Sequence, residues 1–197
     1  MSPLPRTATP AFLLDWEKFG RAWEAELAEN PKRNFTWNQI TKKSKEDLVR
    51  ELFTMSKQHC GFCDEFPAGS GFQKTIEHFK PKKKFPLEAY HWENLYPCCN
   101  VCQSKIERYD DLLLHPDAPD FSFERYFILD FATFKIEPRP DAPPHDQHRA
   151  RITCDIYKFN LPDRCFSRKL TFNDFRLKLQ NGCHIDDMPF RFMQFYI

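Results

Sequence analysis

The chain has 197 residues, 41% of them hydrophobic and 29% charged, with a net charge of +1. Such a balance is ordinary for one soluble domain with additions, and it leaves no global basic field, so any nucleic-acid contact must come from local patches. No apolar run approaches the ~20 residues of a membrane span, and the start, MSPLPRTATPAF, lacks the basic and apolar regions of a signal peptide. The expected setting is therefore cytoplasmic, away from membranes. There, among eight cysteines, paired CxxC units read as metal ligands rather than disulfides.

Residues 1–58 read as a helical N-terminal part. A helix is predicted from Thr9-Pro10, with Thr9 as N-cap and Pro10 just inside. Phe12, Leu13, Trp16, Phe19, Trp23 and Leu27 recur at helical spacing and predict one buried scaffold face. Residues 29–43, ENPKRNFTWNQITKK, read as a connector. A second helix is predicted from Ser44 as its cap, carrying Leu48, Leu52, Phe53 and Met55 towards Cys60.

Residues 59–110 hold the densest chemistry. Cys60-Gly-Phe-Cys63 places two thiols three positions apart, with Gly61 suited to a tight turn that aims both at one ion. After Gly69 and Gly71, residues 72–79 alternate as a strand. Residues 80–91, with Pro81, Pro86 and four lysines, cannot be regular. A short strand is predicted around Leu95-Tyr96, ended by Pro97, and Cys99-Asn-Val-Cys102 is predicted to open a helix running through Gln103, Ile106 and Tyr109. The order is strand, long loop, strand, helix, bracketed by the cysteine pairs.

Residues 111–197 read as a mixed, largely helical extension. FILDFATFKI (127–136) predicts a strand, the Pro-rich 138–148 an exposed loop, and ARITC (150–154) a returning partner strand. A helical region is predicted from Asn160-Leu-Pro-Asp163 to about Gln180, stopped at Asn181-Gly182. Cys154, Cys165 and Cys183 stand alone and read as buried small hydrophobes. Six of the last eight residues are apolar, which predicts packing on the chain's own core ahead of a partner surface, with Phe192, Phe195 and Tyr196 on one helical face.

Four thiolates in two CxxC pairs, Cys60/Cys63 and Cys99/Cys102, match structural Zn²⁺, which asks only for four soft or borderline ligands in a tetrahedron. His59 and Cys98 adjoin them without offering a better spacing. A thioredoxin-like redox role fits one CxxC, whereas two pairs separated by a compact insert favour zinc. Inside the insert, His78 can take a proton from water near neutrality, and Glu77 can hold a divalent cation. Asn94 can fix the long loop or orient the imidazole. Lys80, Lys82, Lys83, Lys84 and Lys105 can bring phosphate to that point.

The string CGFC…TIEHFKPK…YHWENLYPCCNVCQSK resembles the HNH endonucleases with a zinc-bound ββα-metal fold. More narrowly it resembles the PtuB-like HNH subunits of Septu-type and retron-associated anti-phage systems, with the specific motifs confined to 60–107. The resemblance implies an α+β fold with a ββα-metal core clamped by the four-cysteine zinc site and N-terminal helices before it. It implies a metal-dependent nuclease in antiviral defence, with His78 as general base, Glu77 as ligand of the catalytic Mg²⁺ or another divalent cation, and Asn94 as the middle letter of the motif. The third letter, His or Asn directly after the last cysteine, is Gln103 here; its amide oxygen can ligate Mg²⁺, and Glu107, one helical turn on, could assist. DNA or RNA is the implied substrate, and a separate ABC/SMC-like ATPase the implied partner, since the chain has no GxxxxGK[ST] string. The competing readings are a non-catalytic zinc-ribbon module that binds nucleic acid or a protein, and a redox-sensing thiol protein.

Overall fold

Pro10 opens a short 3-10 turn, Ala11–Leu13, in the computed structural model, which describes residues 1–68 and 74–197. The helix expected from Thr9-Pro10 starts later, as α1 (Trp16–Glu29), because the extended Pro10 feeds the turn rather than the helix. α1 buries Trp23 and packs across a second 3-10 segment, Pro86–Tyr90. Gly20 permits that contact: a Cβ there would lie 2.2 Å from the Leu87 carbonyl oxygen. α2 (Lys42–Met55) is capped by Thr41, whose side chain accepts the Ser44 N–H at 3.0 Å. Ser44 therefore lies inside the first turn and is not the cap. Leu48, Leu52, Phe53 and Met55 are buried as expected.

β1 (Lys74–His78) and β2 (Leu95–Cys99) form an antiparallel pair, with Glu77 opposite Tyr96 and His78 opposite Leu95. The predicted strand is seen from Lys74; residues 72–73, like Gly69 and Gly71, lie outside the described residues. Pro97 does not end β2. It pairs opposite Ile76, which a two-stranded sheet tolerates because each strand has a free edge. Its carbonyl accepts the Gly61 N–H at 2.8 Å. Gly61 has no positive φ; it is small because a Cβ would come within 3.2 Å of that same carbonyl oxygen.

α3 (Asn100–Gln103) is a single turn. The predicted helix through Ile106 and Tyr109 stops because Ser104 Oγ donates back to the Val101 carbonyl at 2.7 Å and Ile106 adopts φ +55°. Glu107 thus reaches the site by a turn and not by helical spacing.

In the extension, α4 (Phe123–Tyr126) leads into β3 (Phe127–Leu129), which pairs antiparallel with β4 (Ile136–Pro138). The expected single strand over 127–136 is a hairpin, turned by Asp130, whose side chain accepts the Ala132 N–H at 2.9 Å. Residues expected as a loop and a partner strand form α5 (Pro144–Ile156). Pro144 presets its first turn, and Ala150, Thr153 and Cys154 share its buried face. α6 (Pro162–Gln180) matches its expected span and ends before Gly182 at φ +84°. Cys154 is buried and Cys165 half-buried, but Cys183 is exposed and no small hydrophobe of the core.

The tail packs on its own chain. Phe190, Phe192 and Met193 are buried, and Phe192 stacks on Phe123 with ring centroids 4.1 Å apart. Arg191 Nη2 lies 2.6 Å from Asp64 Oδ1, which ties the tail to the residue after Cys63. The tail is a 3-10 segment, Arg191–Tyr196, so the expected α-helical face is not what packs: Phe195 stays about half exposed. The described residues are α+β, with two small antiparallel sheets and one shared core. Among the described residues no helix is long and apolar enough to cross a membrane.

Candidate metal centre and adjoining cavity

The turn at Cys60–Cys63 and the β2–α3 junction bring Cys60, Cys63, Cys99 and Cys102 together, all four buried and with sulfurs within 4.8 Å of one another. Cys63 and Cys99 sulfurs lie 3.7 Å apart; a zinc tetrahedron with Zn–S of ~2.3 Å sets sulfurs ~3.8 Å apart. The four cysteines are placed to bind a metal ion, and the donor set is that of a structural metal such as zinc. Hydrogen bonding to the neighbouring sulfurs, Cys102 first, pushes the Cys99 thiol far up, so a dication is what permits all four to ionise together. His59 and Cys98 are spent elsewhere: the His59 nitrogens face the Lys57 and Met188 carbonyls at 2.8 and 3.0 Å, and Cys98 Sγ donates to the Cys99 carbonyl.

A ligand-supporting residue missed in the sequence comes from α6. Buried Arg164 donates through Nη2 to Cys102 Sγ at 3.2 Å and Cys99 Sγ at 3.4 Å, and through Nη1 to the Tyr157 carbonyl at 3.1 Å. Its only trace in the chain is the string LPDRC, in which an arginine follows a helix-opening proline.

One strand-length from the cysteines, a cavity of about 250 Å³ gathers Glu77, His78, Lys82, Gln103 and Glu107. His78 lies at the end of β1, 5% exposed, and its Nε2–H donates to the Ala89 carbonyl at 2.9 Å. A carbonyl can only accept, so this bond fixes the tautomer and leaves Nδ1 with its lone pair. Burial, with Lys82 adding, holds the imidazole well below its usual pKa, so it stays neutral. Gln103 Nε2 donates to the Ile76 carbonyl at 3.0 Å, which leaves its amide oxygen as a ligand. Glu107 Oε2 is buried without a hydrogen-bond partner among the described residues.

Glu77 is 4% exposed, with Oε1 3.0 Å from Lys105 Nζ. Burial outweighs that counter-charge and pushes its carboxyl up to about 7. Lys105, expected on the nucleic-acid surface, is 1% exposed and also donates to the Phe79 carbonyl at 3.2 Å. It is corrected to an internal counter-ion, because α3 ends early and turns its side chain inward.

Asn94 does not touch the imidazole. Its Oδ1 accepts the Lys80 N–H at 2.7 Å, and its Nδ2 donates to the Lys80 and Glu88 carbonyls at 3.1 and 2.9 Å. Of its two expected roles it performs the loop-fixing one, and it steadies His78 through Ala89, the neighbour of Glu88. Lys80 is half-buried and faces a different cavity beside Glu88, 3.6 Å away, while Lys83 and Lys84 are exposed outside the His78 cavity. Of the five lysines, Lys82 alone lines it. No protein-family model matches the chain, and no curated protein matches it.

Proposed function

We propose that the chain is a metal-dependent nuclease that hydrolyses nucleic-acid phosphodiester bonds, with zinc on the four cysteines as its structural tie. The observation that carries this reading is the bond from His78 Nε2 to the Ala89 carbonyl, which leaves Nδ1 unprotonated on a residue that lines one cavity with Glu77, Gln103 and Glu107. His78 takes the proton of the attacking water at Nδ1. Lys82 meets the negative charge of the phosphate from the cavity wall. Glu77, Gln103 and Glu107 line the same cavity and offer hard oxygen donors to it. Such a set suits Mg²⁺, which binds few carboxylates and keeps waters and phosphate oxygens in its shell. Bound there, a divalent cation would polarise the phosphate and neutralise the leaving oxygen.

A ββα-metal core, the HNH class, antiviral defence and an ABC/SMC-like ATPase partner rest on the sequence resemblance, and a cytoplasmic setting on the sequence reading of the apolar runs and cysteines. The second reading, a non-catalytic metal-tied module that binds nucleic acid or a partner, is favoured by one observation: Lys105 already neutralises Glu77.

The test is cleavage of labelled DNA and RNA across a series of divalent metals. His78→Ala should lose roughly 10²–10⁴-fold in rate with metal content and fold intact. Gln103→Ala should raise the metal concentration for half-maximal cleavage. A His78→Ala protein that cuts at the wild-type rate would overturn the assignment, and a wild type that binds but never cuts would favour the second reading.

A further inference from the structure

A second cavity, about 270 Å³, shares Ile76, His78, Lys82 and Gln103 with the first and so continues the same groove. Its far wall is made by Phe35, Trp37, Lys45 and Lys74. Phe35 and Trp37 come from the stretch that reads in sequence as a mere connector. Trp37 lies nearly parallel to His78, with centroids 5.5 Å apart and planes at 21°, and both aromatics remain half-buried. The Thr36 carbonyl accepts the Tyr90 hydroxyl at 3.1 Å, which holds the segment over the sheet.

The charge pattern is one-sided. Three lysines line this cavity, no carboxylate does, and none of the three forms a salt bridge among the described residues. Cation–π packing accounts for Lys82 over Phe35 and Lys74 over Phe53, at 5.4 and 5.1 Å, but gives no reason to leave Trp37 half-covered beside three cations. A strand that offers a phosphate and an unstacked base does, since aromatic faces take bases of any sequence while lysines track the backbone. The room is adequate: about 150 Å³ is enough for a benzene ring.

We infer that Trp37 is a stacking platform for a nucleobase next to the phosphate at His78, so that the chain takes single-stranded or locally unpaired nucleic acid and not intact duplex. This rests on the nucleic-acid reading of the adjoining cavity. A paired base keeps its faces against its neighbours and has none to give the indole. An unpaired one places its ring on Trp37 while Lys45, Lys74 and Lys82 meet the backbone.

The test is fluorescence anisotropy of the full chain with a labelled, nuclease-resistant phosphorothioate strand, its duplex, and the same strand made abasic. The single strand should bind at least roughly tenfold tighter than the duplex. Trp37→Ala should lose roughly 5- to 150-fold of single-strand affinity, Trp37→Phe should keep most of it, and the abasic strand should bind wild type as weakly as the intact strand binds Trp37→Ala. Lys45→Ala and Lys74→Ala, on exposed side chains, give an independent reading: each should lower the salt slope of binding by about 0.7. Duplex binding equal to single-strand binding, a silent Trp37→Ala, or no binding of either strand would overturn the inference. Cleavage is scored separately. Cutting without strand preference sinks this inference alone, and strand preference without cutting sinks the nuclease alone.

Discussion

Arg164 and Cys102 are joined by a 3.2 Å guanidinium–sulfur contact that links the last long helix to the metal centre. Four thiolates on a dication leave a net charge of −2 in a buried place, and one guanidinium halves it. Removing such an outer-shell partner typically costs ~10–100-fold in metal affinity. Arg164→Met should therefore shed metal to a chromogenic chelator at lower chelator concentration than wild type, with about one metal per chain still bound after purification. Equal chelator resistance would show the contact to be incidental.

Lys105 and Glu77 are a buried pair, 3.0 Å apart. Lys105→Met leaves the carboxylate without its counter-charge, and breaking a buried pair from one side costs ~3–5 kcal/mol. Urea unfolding should show that loss, while the salt dependence of nucleic-acid binding should not change. A stable variant with a shallower salt slope would return Lys105 to the nucleic-acid surface.

Glu77 and His78 are neighbours shifted in opposite directions. Burial is the main cause of both shifts, raising the carboxyl to about 7 and pushing the imidazole well below 6.5. A raised carboxyl contributes stability that is complete below its unfolded value of 4.5 and is lost as pH rises through about 7. A depressed imidazole contributes stability that is complete above its unfolded value of 6.5 and is lost as pH falls. Between those unfolded values the two slopes oppose. His78→Gln removes one of them, so its stability relative to wild type should improve as pH falls from about 7 to about 5, by at most ~1.4 kcal/mol per unit. A difference that stays constant over that range would contradict the depressed imidazole.

Phe192 is 1% exposed and stacked on Phe123. Phe192→Ala should cost ~3–5 kcal/mol, seen as a lowered urea midpoint. Deleting residues 189–197 should remove soluble, cooperatively folding protein. A truncated chain that melts like wild type would show the tail to be dispensable to the core.

The amino-acid sequence was sufficient where chemistry is local. Two CxxC pairs can meet at one ion whatever carries them, and α6 is legible because Pro162 starts it and Gly182 stops it. Glu77 and His78 sit next to each other in the chain, so their nearness needed no fold. Sequence failed where a residue's partner lies far along the chain or is backbone. The α5 segment reads as loop and strand because its buried face is defined only by what packs on it. Lys105 reads as a surface cation because nothing nearby reveals that α3 ends after one turn and aims it at Glu77. The tautomer of His78 was chosen by the carbonyl of Ala89, and a carbonyl leaves no mark in a residue's identity. Trp37 reached His78, and Arg164 the cysteines, from opposite halves of the chain, and only the closure of the shared core over β1 and β2 could bring them there.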